Sequence, residues 1–185
     1  MYHIPNDKRA ERSAGKLCDG LLACLDEKQL IDVTVADVTR ASGVSRATFY
    51  RLFDNTADVL AWRCEGIVDE SMERARQAEG MSHRSTFLFY GSTWLANRGL
   101  LEALIKNGRL DIVYNAHARR MDSIREIFFA GEELEPAEEE FLSALLTAMM
   151  PSMFKVWMDH PELGDEELLD LLQRSLHTLE ELFAS

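Results

Sequence analysis

Arg46 and Arg51 stand five positions apart in the stretch GVSRATFYRLF, residues 43–53, with Ser45, Thr48 and Tyr50 among them. A guanidinium presents a planar fork of donors that matches the O6/N7 edge of guanine, a pairing worth roughly 1–3 kcal/mol of discrimination. Serine and threonine at a helix start suit phosphate oxygens. Phe49 and Phe53 are four apart, so they share one helical face and are expected to pack inward. Arg46, Ala47, Thr48, Tyr50 and Arg51 are then left pointing largely outward. Arginines on a helix surface are ordinarily just solvated. What sets these two apart is their outward face directly after a Gly-Val-Ser turn.

The flanking elements must hold that short helix in place. A first helix is expected from Asp7 to Glu27, with Ala14, Leu17, Cys18, Leu21, Leu22 and Leu25 forming one apolar stripe. Its first turn carries Lys8, Arg9 and Arg12, the wrong sign for a helix N-terminus. An anionic partner or a frayed, solvated start would each account for that. A second helix starts at Thr34, where Thr34-Val35-Ala36-Asp37 reads as a capping box, and Val38 and Ala41 are expected to face inward. Gly43 ends it, Val44 fills the corner, and Ser45 caps the next helix, Arg46 to Phe53. This is a helix-turn-helix layout. A long fourth helix follows from Thr56 to Ala78, with Val59, Leu60, Trp62, Ile67 and Met72 as apolar contacts.

Beyond Gly80, five more helical segments are predicted at about 83–97, 100–107, 110–129, 137–158 and 165–183. Gly99, Gly108, Gly131, Pro136, Pro161 and Gly164 punctuate them. Pro151 is expected to kink the fourth. The last is amphipathic through Leu168, Leu172, Leu176, Leu179 and Phe183, a stripe wider than one contact within the chain needs. The one β-branched cluster, LIDVTVADV, runs into a helix start. The expected class is therefore all-α with about nine helices.

The 185 residues carry 20 Lys+Arg against 32 Asp+Glu, a formal net charge of −12. The excess is not spread evenly. Residues 1–55 hold eight basic and eight acidic side chains, so all of it falls in residues 56–185. Only the first third of the chain can approach an anion without strong repulsion. No apolar run nears the length of a membrane span, and the N-terminus turns polar at once, so a cytoplasmic protein is expected. Cys18, Cys24 and Cys64 are an odd number without CxxC spacing, which reads as reduced thiols. His3, His83, His117, His160 and His177 make no metal-ligand spacing with Cys, Asp or Glu. There is no nucleophile motif, phosphate loop or paired-carboxylate signature, so neither enzyme activity nor a cofactor or metal is expected.

The stretch TVADVTRASGVSRATFYRLFDNTADVL, residues 34–60, resembles the tetracycline-repressor-like (TetR) family of bacterial transcription regulators. It carries a capped second helix, alanine and then Gly-Val-Ser at the turn, Thr-Phe-Tyr in the third helix, Phe53, and a leucine-bearing start to the fourth. The likeness covers about the first third of the chain. The rest is similar mainly in architecture, although FKVWMDHPELGDEELLDLL also looks like the family's entry into its last helix. The resemblance implies a helix-turn-helix DNA-binding domain at 1–55 and a ligand-binding and dimerisation domain at 56–185, with the fourth helix connecting them. It implies a homodimer through the last two helices, a palindromic double-stranded DNA operator, a small-molecule effector, and most often repression. By the same resemblance Ser45 and Thr48 would contact phosphate, Arg46, Ala47 and Arg51 would read bases, and Tyr50 would touch the backbone. Thr34 and Thr56 complete the expected DNA-contacting set. Thr56 stands where the family often has a phosphate-binding lysine, and the usual glycine after the first helix is missing from DEKQLID. A reading that keeps the fold but replaces DNA with a protein partner, a co-regulator, therefore stays open.

In the second domain, Trp62, Tyr90, Trp94 and Met153 are the candidate effector contacts, although aromatic stripes of this kind more often form plain core. Arg98, Arg109, Arg119 and Arg120 could hold an anion, but salt bridges or solvation are the better expectation. Glu102 and Lys106 have the spacing of an i,i+4 pair.

Overall fold

The computed structural model describes residues 2–5, 7–78, 82–129, 131–160 and 162–184, apart from the side chains of His83, Arg84, Asp165, Leu169 and Ala184. The expected breaks at Gly80 and Pro161 lie outside the described residues. Ten α-helices and one 3-10 turn occur among them. The helices are α1 (Lys8–Glu27), α2 (Val35–Ser42), α3 (Arg46–Leu52), α4 (Thr56–Gln77), α5 (His83–Leu95), α6 (Arg98–Lys106), α7 (Leu110–Arg119), α8 (Met121–Phe128), α9 (Pro136–Asp159) and α10 (Asp165–Ala184). The 3-10 turn, Leu30–Asp32, joins α1 to α2. The fold is all-α, as expected.

Local sequence accounts for most helix ends. Asp7 caps α1 through bonds from the Arg9 and Ala10 N–H groups, both 2.8 Å. The Thr34–Asp37 capping box is formed at α2, Ser45 caps α3 and Asn55 caps α4. Gly43 sits at φ +68°, the left-handed region that glycine enters at no steric cost. Helix α1 packs on α2, α3, α4 and α6, while α4 reaches α1, α5, α7 and α8. One continuous buried set runs from Ala10 to Leu172.

Four local expectations are corrected. Segment 110–129 is two helices, because the Arg120 N–H bonds the His117 carbonyl and the chain restarts at Met121. No glycine or proline marks that joint. Ala41 is exposed. Gly20 brings α1 so close that a Cβ there would lie 2.8 Å from the Ser42 Cβ, so α2 meets α1 through Val38 and Ser42 instead. Lys106 makes no ion pair among the described residues; its ammonium reaches the Leu25 carbonyl at 3.4 Å. Finally, α9 is long and apolar enough to match a membrane-spanning helix by length and composition, because Glu138–Glu140 and Lys155 lie near its ends. A third of that stretch is buried within the fold, where Met150, Phe154 and Trp157 enter the core. The helix runs on through Pro151.

Candidate nucleic-acid interface

Helix α3 has two faces fixed by its neighbours. Phe49, Leu52 and Phe53 are fully buried, and Phe53 stacks edge-on against Trp62 of α4 at 6.1 Å. Arg46, Ala47, Tyr50 and Arg51 are exposed, and Thr48 is half-buried. Neither Arg46 nor Arg51 pairs with a carboxylate among the described residues. Tyr50 projects to solvent with its ring edge against Phe49, 5.5 Å between centroids.

The hydroxyls around α3 already have partners within the chain. Ser45 Oγ accepts the Thr48 N–H at 3.1 Å and shares a hydrogen bond with Thr48 Oγ1 at 3.0 Å. Thr34 Oγ1 donates to Asp37 Oδ2 at 2.8 Å and accepts the Asp37 N–H at 3.2 Å. Asp37 also pairs with Lys28 at 3.2 Å and Arg40 at 3.5 Å. The Thr34 hydroxyl and backbone N–H, helped by Lys28, hold its carboxyl at about 2. Lys28 and Arg40 are thus partly neutralised. Lys8, Arg9, Arg12 and Lys16 along α1 are exposed and make no ion pair among the described residues. Among the described residues up to Asn55, the cations left without an ion pair are Arg46, Arg51 and this α1 row. Thr56 is half-buried in the first turn of α4, next to the Asn55 cap.

The four candidate effector contacts do not converge. Tyr90 lines an internal cavity of about 10 Å³ with Phe87, His117, Ile124, Phe128 and Met150. That volume is at the limit of what one water needs. Trp94 is fully buried behind it, stacked on His117 at 5.5 Å and tilted against Phe154 at 4.9 Å. Its Nε1–H has no acceptor among the described residues. Met153 is half-buried on α9 and does not line the cavity. Trp62 opens instead on a surface cleft of about 420 Å³ with Gly15, Cys18, Arg63 and Asn97.

Two groups without a sequence motif hold the polar interior together. His117 is buried, with Nδ1 2.7 Å from the Val113 carbonyl and Nε2 2.7 Å from Tyr90 Oη. A carbonyl only accepts, so Nδ1 carries the proton and the Tyr90 hydroxyl donates to Nε2. Burial pulls the imidazole down to about 4. Glu65 of α4 is 3% exposed and binds Tyr2, Arg119 and Arg120. Arg109 forms a two-pronged pair with Asp111. The salt-bridge expectation therefore holds for Arg109, Arg119 and Arg120. A charged residue in the middle of an apolar helical stripe was the only sequence signal for Glu65.

No protein-family model matches the chain, and no curated protein matches it in sequence. Several solved structures share its fold. Lin0861 from Listeria innocua superposes with a TM-score of 0.78 at 16% identity, covering 96% of each chain. A TetR transcriptional regulator from Streptococcus agalactiae 2603V superposes with a TM-score of 0.54 at 18% identity, covering 89% of this chain and 93% of that one.

Proposed function

We propose that the protein is a DNA-binding transcriptional regulator that acts as a homodimer on a palindromic operator, responds to a small molecule, and represses. The observation that carries this reading is the outward face of α3, where Arg46 and Arg51 stand exposed without carboxylate partners among the described residues while Phe49, Leu52 and Phe53 anchor the opposite face. The fold shared with a TetR transcriptional regulator supports it. Arg46, Ala47 and Arg51 read base edges. Ser45, Thr48, Tyr50, Thr34 and Thr56 lie along the backbone, the hydroxyls of Thr34, Ser45 and Thr48 exchanging or sharing their internal bonds with phosphate. Lys8, Arg9 and Arg12 supply the positive charge that Thr56 does not.

The two heads of a dimer follow one DNA face at a spacing on the order of 34–36 Å or a multiple of it. The dimer forms through α9 and α10, where Phe141, Leu145, Val156, Leu179, Leu182 and Phe183 are large apolar side chains left exposed. The effector acts at the Tyr90–His117 seam. A cavity of about 10 Å³ admits no such molecule as it stands, so binding has to part α5, α7, α8 and α9.

Selection of bound duplexes from a random library, at two salt concentrations, tests the reading. A palindromic motif whose binding weakens steeply with salt is expected, since the affinity rests on a few cations. No enrichment by a folded dimer would favour the co-regulator that binds protein instead.

A further inference from the structure

Residues 2–5 fold back along the C-terminal end of α3. The His3 N–H donates to the Leu52 carbonyl at 2.8 Å, and Tyr2 forms an antiparallel bridge with Phe53. The Tyr2 ring lies 6.5 Å from that of Phe53. Its hydroxyl reaches past α3 and donates to Glu65 Oε2 at 2.6 Å. Glu65 sits in the middle of α4 and is nearly inaccessible. Its other partners come from the far side of the chain: Arg119 Nη1 at 2.9 Å from Oε1 and Arg120 Nη1 at 2.9 Å from Oε2. Arg120 also clamps Asp69 of α4 at 2.7 Å.

These arginines occupy the joint between α7 and α8 that breaks the expected long helix. His117, two residues before Arg119, faces the internal cavity, and Met121 and Ile124 just after the joint line the same cavity. A buried carboxylate is tolerated only while its oxygens are fully engaged. Loss of one partner is therefore felt by the rest. The end of α3 and the α7–α8 joint thus share one carboxylate, separately from the covalent path along α4.

We infer that Tyr2 is a positioning residue for α3, and that the Tyr2–Glu65–Arg119/Arg120 cluster transmits the placement of the α7–α8 joint to the reading head. The regulatory meaning rests on the reading of α3 proposed above; the mechanical coupling does not. Coupling is reciprocal. A change at the joint must alter the opening of α3, and the loss of the Tyr2 hydroxyl must alter the joint.

Native-state hydrogen exchange on the whole protein, followed by peptide, tests this with Tyr2→Phe, Arg120→Ala and their combination. Arg119→Ala, at a more exposed side chain, replaces Arg120→Ala should that variant fail to fold. Each single change is expected to speed exchange about fivefold in residues 46–53 and in residues 117–124 alike. The double variant is expected to go no further than the stronger single one. Exchange within α6 (Arg98–Lys106), which holds no member of the cluster, is expected to stay unchanged, as a globally destabilising substitution would not allow. Acceleration confined to the site of each substitution, acceleration spread evenly over the chain, or effects that multiply in the double variant would each overturn the inference. The same variants are then titrated with the selected duplex, where a parallel loss of affinity is expected. Coupled exchange in a protein that enriches no duplex would leave the coupling standing and remove the regulator reading.

Discussion

At the scale of single residues, the two faces of α3 make separate predictions. Arg46→Ala combined with Arg51→Ala removes side chains that pair with no carboxylate among the described residues. Operator selectivity is expected to vanish in a binding titration while the dimer sediments unchanged; intact selectivity would remove both residues from the reading set. Phe49→Ala empties a fully buried position, and a thermal or denaturant melt should register a loss of roughly 3–5 kcal/mol. His117 gives a pH prediction. Its folded value near 4 lies below its ordinary 6.5, so between those values the unfolded chain binds a proton that the folded chain refuses. Stability contributed by the neutral imidazole is full above about pH 6.5 and is lost as pH falls toward 4, at up to about 1.4 kcal/mol per pH unit. Denaturation of wild type and His117→Gln across that window isolates the effect, and matching slopes would refute it.

At the scale of elements, two glycines in α1 look alike in sequence and differ in space. A Cβ at Gly15 would meet nothing within 4 Å, whereas one at Gly20 would strike the Ser42 backbone N and Cβ at 2.8 Å. Helix propensity alone favours alanine at both positions by roughly 0.5–1 kcal/mol. Gly15→Ala is therefore expected to raise the melting temperature. Gly20→Ala is expected to lower it, because α1 must move off α2 and the collision is with backbone. A stabilising Gly20→Ala would mean that the two helices are not in this register. The caps at Thr34 and Ser45 and the turn at Gly43 were legible one residue at a time, since each satisfies its helix end within a few positions. The α7–α8 joint was not, because Arg120 carries no breaker and its position answers to Glu65 and Asp69 on another helix.

At the scale of the whole molecule, charge and apolar surface divide the labour. The acidic excess lies beyond residue 55, so an anion approaching the α3 face would meet the near-neutral end of the chain. Leu168 and Leu172 of α10 are buried in the fold, while Leu179, Leu182 and Phe183 stay exposed farther along the same helix. Phe141, Leu145 and Val156 do the same on α9. Burying such a surface in a second copy is expected to give a dimer by sedimentation at micromolar concentration. Phe141→Glu with Leu182→Glu should yield a folded monomer, since two charges from each copy would be buried unpaired in the shared interface. A wild-type monomer would reject α9 and α10 as the dimer face.

The sequence by itself determined the helical class, the capped helix-turn-helix and the outward side of α3. These follow from periodicity and from caps that act over three or four residues, where the chain's own geometry sets the neighbours. Only the tertiary structure decided that Trp62 faces the head rather than Tyr90, that the interior is filled around His117, and that Tyr2 and Arg120 share one carboxylate. Those contacts join residues dozens of positions apart, and such a meeting depends on how helices pack, not on any local spacing that a motif could carry.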